Sequence, residues 1–102
     1  MHVISRKAVS EWGTKFPDAA ESLTAWLRNA RGATWENITD VREVYPHADP
    51  VEVQSGKIVT VFNIRGNRYR LISAIHYNRQ VIYTLRFMTH AEYSKERWKE
   101  SL

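Results

Sequence analysis

The stretch "RFMTHAEYSK", Arg86 to Lys95, brings an arginine, a histidine, a tyrosine and a lysine together. Upstream, "KIVTVFNIRGNRYR" carries Lys57, Arg65, Asn67, Arg68 and Arg70. These residue types suit one chemistry, metal-free cleavage of RNA. The ribose 2′-hydroxyl attacks its own 3′-phosphate, so a base is needed near that hydroxyl and an acid near the leaving 5′-oxygen. Cations are needed where charge grows on the phosphoryl oxygens. Histidine can be acid or base at its ordinary pKa. Tyrosine and lysine can serve if their surroundings lower theirs. Arginine supplies a planar fork for two phosphate oxygens.

Other chemistries find less support. His2, His47, His76 and His90 have no paired ligand spacing, so no metal site is expected. No serine sits in a nucleophile elbow, and the four glycines are scattered singly, with no phosphate-cradling loop. The chain has no cysteine. No cofactor is expected. Each candidate also has a passive reading. Arg68 and Arg70 can be strand residues that discourage edge pairing, and Tyr93 can be core with an exposed hydroxyl. His90 at a helix start is favoured as the neutral imidazole by the helix dipole, which suits a base or a bystander. His76 reads as a turn-proximal surface or packed histidine. Trp12, Trp26 and Trp35 read as core.

The elements that must position these groups follow from periodicity. Ser5 can cap a helix to about Trp12, with Gly13 as a stop. Asp18 can cap a second, ended by Gly32, with Ala19, Leu23, Trp26, Leu27 and Ala30 as its apolar stripe. Thr39 can cap a third, short one, ended by Pro46. From Lys57 the period becomes two. "KIVTVFNI", "RYRLISAIHY" and "QVIYTLRFM" read as strands joined by turns at "RGN" and "NR", an antiparallel meander. In the third strand Val81, Tyr83, Leu85 and Phe87 are expected to face the helices, with Ile82, Thr84, Arg86 and Met88 opposite. Parity alone leaves the second strand's facing open. "THAE" fits a capping box with Thr89 as N-cap, opening a last helix towards Lys99. The expected fold is one α+β domain over residues 1–102, a small antiparallel sheet of three or more strands with the N-terminal helices on one face and a short C-terminal helix.

Charge agrees with an anionic partner. Residues 1–55 hold six Lys/Arg against eight Asp/Glu, a net of −2, and residues 56–102 hold nine against three, a net of +6. No run is apolar enough for a membrane span or signal peptide, so a cytoplasmic location is expected.

The paired motifs Phe62-Asn63, Gly66-Asn67 and Arg70, with Thr89-His90 and Glu92-Tyr93, resemble the HigB-type toxins of bacterial toxin–antitoxin modules. The resemblance runs over nearly the whole chain. It implies a RelE-like fold, mRNA cleavage on translating ribosomes, and a HigA-like helix-turn-helix antitoxin through which the pair meets operator DNA. It implies Arg70 and Arg86 as phosphate holders and His90 and Tyr93 as the acid–base pair. Lys57, Arg65, Asn67, Arg68 and Lys95 would be RNA-binding. Such toxins often carry the strand arginine one residue further from Thr-His than Arg86 stands, and one residue reverses strand facing. Equivalence therefore requires a bulge. The alternatives are a non-catalytic module that holds RNA, ribosome or partner on the same fold, and a DNA-binding regulator. The last is disfavoured by the lack of a basic recognition helix.

Overall fold

The computed structural model describes residues 1–102. Strand β1 (His2–Ile4) leads into helix α1 (Arg6–Lys15), a 3-10 turn at Pro17–Ala19, and helix α2 (Ala20–Gly32). Helix α3 (Ile38–Val44) precedes strands β2 (Asp49–Glu52), β3 (Ile58–Ile64), β4 (Tyr69–His76) and β5 (Val81–Thr89). Helix α4 (His90–Ser94) and a 3-10 turn at Arg97–Ser101 follow. The sheet order is β1-β5-β4-β3-β2, with β1 parallel to β5 and every other pair antiparallel. The meander expected from "KIVTV" to "LRFM" is its centre. No helix is long and apolar enough to cross a membrane.

The helices cover one sheet face. From α2, Leu23, Trp26 and Ala30 are buried, a spacing that keeps them on one side of the helix. They join Val9, Trp35, Val41, Phe62, Ile64, Tyr69, Leu71, Ile82 and Phe87 in one core. Trp26 meets Phe62 edge-on with ring centroids 5.4 Å apart, and Trp12 stacks on Phe87 at 5.7 Å. The opposite face carries a smaller cluster of Val53, Val59, Val61, Ile72 and Trp98, with Leu85, Met88 and Tyr93 against it.

Several local expectations are corrected. Ser5 makes no side-chain cap and sits at φ 75°. Gly13 lies inside α1 rather than ending it. A Cβ there would stand 3.4 Å from the Ala20 Cβ, so glycine allows α1 to approach α2 closely. Asp18 does not cap α2, because the chain spends three residues in a 3-10 turn first and the carboxylate is drawn to the β3–β4 turn. Asn37, not Thr39, caps α3, accepting from the Asp40 amide at 3.0 Å. Strands β1 and β2 lay outside the expected three, being short edge strands without a readable alternation.

The facing of β5 changes midway. Ile72 of β4 pairs with Arg86, while Ser73 pairs with Thr84, so Leu85 is left over as a bulge. Before it Ile82 and Thr84 face the helices, and after it Phe87 does. Leu85 packs on the opposite cluster. Val81, Tyr83 and Leu85 thus depart from the expected alternation, whereas Arg86 and Met88 share the face away from the helices. On β4, Tyr69 and Leu71 turn to the helices, and Arg70 and Ile72 turn away.

The last helix is also shorter than expected. Thr89 does cap it, its Oγ1 accepting from the Glu92 amide at 3.2 Å. It ends at Ser94, and Glu96 at φ 61° turns the chain back. Trp98 is thereby laid over the sheet face opposite the helices.

Candidate active site

The centre of the exposed face is the Arg70 guanidinium, 8% exposed on β4. Strand pairing places Asn63 on one side of it and Met88 on the other. None of its hydrogen-bond partners is a carboxylate. Nη1 donates to the carbonyl oxygens of Tyr69 at 3.0 Å and Asn67 at 3.2 Å. Nη2 donates to Asn67 Oδ1 at 2.6 Å and lies 3.2 Å from His90 Nδ1. The guanidinium carbon stands 5.6 Å from the centre of the Tyr93 ring, a cation–π distance. None of the ion pairs in the chain includes Arg70. A buried cation without a bonded counter-ion is costly, and Asp49 is the one acidic residue that lines its cleft.

His90 and Tyr93 arrive from the first turn of α4. The His90 amide donates to the Arg68 carbonyl at 2.9 Å, which stitches the helix start to the β3–β4 turn. That turn is shaped by positive φ at Arg65 (53°) and Gly66 (62°). The His90 ring is exposed on its outer side, and Nδ1 also lies 3.2 Å from the Asn67 carbonyl oxygen. Tyr93 stacks on Trp98 with centroids 5.2 Å apart, and Trp98 Nε1 donates to the Tyr93 carbonyl. Burial pushes the Tyr93 phenol above its ordinary value, and the Asp49 carboxylate adds to this against the pull of Lys99 and Arg70. The lowering that a tyrosine base would need is therefore absent. Tyr93 keeps its proton and can donate it.

Arg70 and Tyr93 line one wall of an open cleft of about 390 Å³. Arg42, His47, Asp49, Val61 and Asn63 line the rest. The site combines an uncompensated cation, an exposed imidazole, a protonated phenol and a polar groove, the inventory that phosphodiester cleavage by general acid–base chemistry needs.

A family model described as HigB toxin, the RelE-like toxic component of a toxin–antitoxin system, matches residues 19–96. The chain belongs to the HigB toxin family. It is similar to the mRNA interferase toxin HigB of Escherichia coli K12, 27% identical over 93 residues, covering 91% of this chain and 88% of the relative. The same figures hold for the mRNA interferase HigB of Shigella flexneri. The protein of that name from Escherichia coli O6:H1 is 25% identical over 95 residues, 93% of this chain and 90% of the relative.

Within this HigB fold the residues singled out from sequence separate into groups. Arg70, His90, Tyr93 and Asn67 come together. Arg86 has only its own Leu85 carbonyl, at 2.9 Å, and Ser101 Oγ, at 3.5 Å, as partners. It stands two residue pairs further along the strands than Arg70, at the edge of the C-terminal turn. Arg65 and Arg68 pair with Asp18 at 2.9 and 3.1 Å, at the corner nearest the helices. Lys95 pairs with Glu92 at 3.3 Å. Lys57 lies at the other end of the sheet, beside Val53, Ile58 and His76. Asp49, His47, Arg42 and Asn63 line the cleft without having been singled out as site residues. Asn63 could have been found by parity, since it shares a strand face with Val59 and Val61. Asp49 lies in the short β2 edge, for which no pattern exists.

Proposed function

We propose that this chain is the toxin of a toxin–antitoxin pair and an endoribonuclease that cleaves mRNA. The similarity to proteins named mRNA interferase HigB supports the substrate. The observation that carries the chemistry is Arg70, a cation nine-tenths buried with three carbonyl acceptors and no carboxylate. A phosphate supplies a bonded counter-charge, at Nε–H, the one donor not already engaged, or in place of a neutral partner at Nη2.

In the proposed reaction Arg70 holds the scissile phosphate. His90 takes the proton of the 2′-hydroxyl, whose oxygen bonds to phosphorus. The bond to the 5′-oxygen breaks, and that oxygen receives the Tyr93 proton. The products are a 2′,3′-cyclic phosphate and a free 5′-hydroxyl. The side chains of Arg86, Lys57, Arg65, Arg68 and Lys95 make no hydrogen bond to Arg70, His90 or Tyr93 and draw the polyanion to the surface. Translating ribosomes present single-stranded message to such an open cleft, and a helix-turn-helix antitoxin is the partner that silences it and carries the pair to its operator.

The test is induced expression. Growth stops, and primer extension finds discrete new 5′ ends in messages. Arg70→Ala removes both while its melting curve shows a folded chain, and the adjacent gene product rescues growth. Harmless expression of the parent chain, or equal cleavage by the folded Arg70→Ala variant, overturns the reading.

A further inference from the structure

His90 Nδ1 lies 3.2 Å from two groups that make opposite demands on it. Arg70 Nη2 can only donate, which requires a bare Nδ1. The Asn67 carbonyl can only accept, which requires Nδ1–H. One nitrogen cannot satisfy both. The Asn67 side chain biases the contest, because its Oδ1 holds Arg70 Nη2 at 2.6 Å and so keeps that nitrogen beside the imidazole. The Asn67 carbonyl also has a second donor, Arg70 Nη1 at 3.2 Å, and is not orphaned when His90 turns to Arg70. The charge-assisted donor is the stronger claimant on Nδ1 at rest, an arrangement that would leave the ring proton on Nε2.

We propose that Asn67 is a positioning residue which, with Arg70, makes His90 competent only when a phosphate is bound. A phosphate oxygen draws the Arg70 Nη2 hydrogen away from the ring. Nδ1 then takes a proton from solvent as Nε2 gives one up, with no net change in the neutral ring. Nδ1–H donates to the Asn67 carbonyl, and the lone pair of Nε2 faces outward. When Nε2 accepts the 2′-hydroxyl proton, the Asn67 carbonyl stabilises the imidazolium, as the third member of a base-orienting triad does. Asn67 thus acts through its neighbours rather than by touching RNA. The kinetic part of this inference rests on the nuclease reading; the ring chemistry does not.

The experiment is nitrogen NMR of the intact chain labelled in its histidine rings, with inorganic phosphate as the probe. At rest His90 reads as Nε2–H with a bare Nδ1, and phosphate converts it to Nδ1–H. Asn67→Ala gives a mixture of tautomers that phosphate does not change. Asn67→Asp restores the resting form, because its oxygen holds Arg70 again. Should Asn67→Ala fail to fold, Arg70→Lys, which lacks the Nη2 fork, reads as Nδ1–H without phosphate. In single-turnover cleavage Asn67→Ala lowers the rate by about tenfold to a hundredfold with little change in half-saturating RNA. A resting Nδ1–H form, or a tautomer indifferent to phosphate in the parent chain, overturns the proposal. A chain that shows the tautomer change but cleaves no RNA overturns the nuclease reading instead.

Discussion

The Tyr69 hydroxyl donates to Asp18 Oδ1 at 2.6 Å, while Arg65 and Arg68 reach Oδ2 of the same carboxylate at 2.9 and 3.1 Å. One side chain from the α1–α2 connection thus clamps the turn that presents Asn67. The Tyr69 bond, with Arg68 and Arg65, holds the Asp18 carboxyl below its ordinary value, and the Asp18 bond holds the Tyr69 phenol above its own. The lowered acid contributes stability that is complete above its unfolded pKa and lost as pH falls through the folded one. The raised phenol contributes below its unfolded pKa, and that is lost as pH rises through the folded one. Asp18→Asn is expected to lower Tm by several degrees at neutral pH and by progressively less below pH 4. Thermal unfolding across a pH series checks this; a constant difference down to pH 2 would contradict it.

Tyr93→Phe keeps the ring on Trp98 and Arg70 and removes only the hydroxyl. Cleavage is expected to fall by about 10- to 100-fold with Tm nearly unchanged. Because burial and Asp49 hold the phenol protonated, its loss of function as a donor belongs above pH 10, not between pH 7 and 9. A parent rate that rises through that neutral window and flattens in Tyr93→Phe would make the residue a base.

Arg86→Ala tests the meaning of the bulge. Arg86 faces away from the helices but makes no hydrogen bond to Arg70 or His90. Its removal is expected to raise half-saturating RNA a few-fold and to weaken salt dependence, leaving the maximal rate near that of the parent. A collapse in rate comparable with Arg70→Ala would place it at the reacting phosphate.

Trp98, 6% exposed, is the lid of the smaller cluster and the backing of Tyr93. Trp98→Ala is expected to cost about 3–5 kcal/mol in chemical denaturation. It should also release Tyr93, so activity falls under conditions where the variant is still folded. Retained activity in that variant would show that Tyr93 needs no backing.

The α+β order, the three central strands and the Thr89 cap were legible because each has a local signature: helical spacing in "ESLTAWLRNA", alternation in "IVTVFNI", a capping box in "THAE". The edge strands were not legible, since three or four residues of sheet edge carry no period. The bulge at Leu85 had no local signature, and it erased the alternation that had assigned Val81, Tyr83 and Leu85 to the core; from Arg86 to Thr89 the pairing is regular, so Arg86 gains no change of facing relative to Thr89-His90. Arg70, His90 and Tyr93 were legible as residue types near two turns. The division of the other cations was not, because Asp18 lies nearly fifty residues from Arg65 and Arg68, and no local pattern predicts a partner at that distance. The role of Asn67 depends on two nitrogens and one carbonyl meeting in space.

The pairing of β1 with β5 has a consequence for how the molecule is made. The first strand of the chain finds its only sheet neighbour in the last, with His2 opposite Val81. Until β5 has been synthesised, β1 is unpaired, Arg70 lacks Met88 beside it, and His90 does not exist. Such long-range closure is slow and comes late. The cluster of Arg70, Asn67, His90 and Tyr93 is therefore absent from the nascent chain until β5 and α4 have joined the sheet.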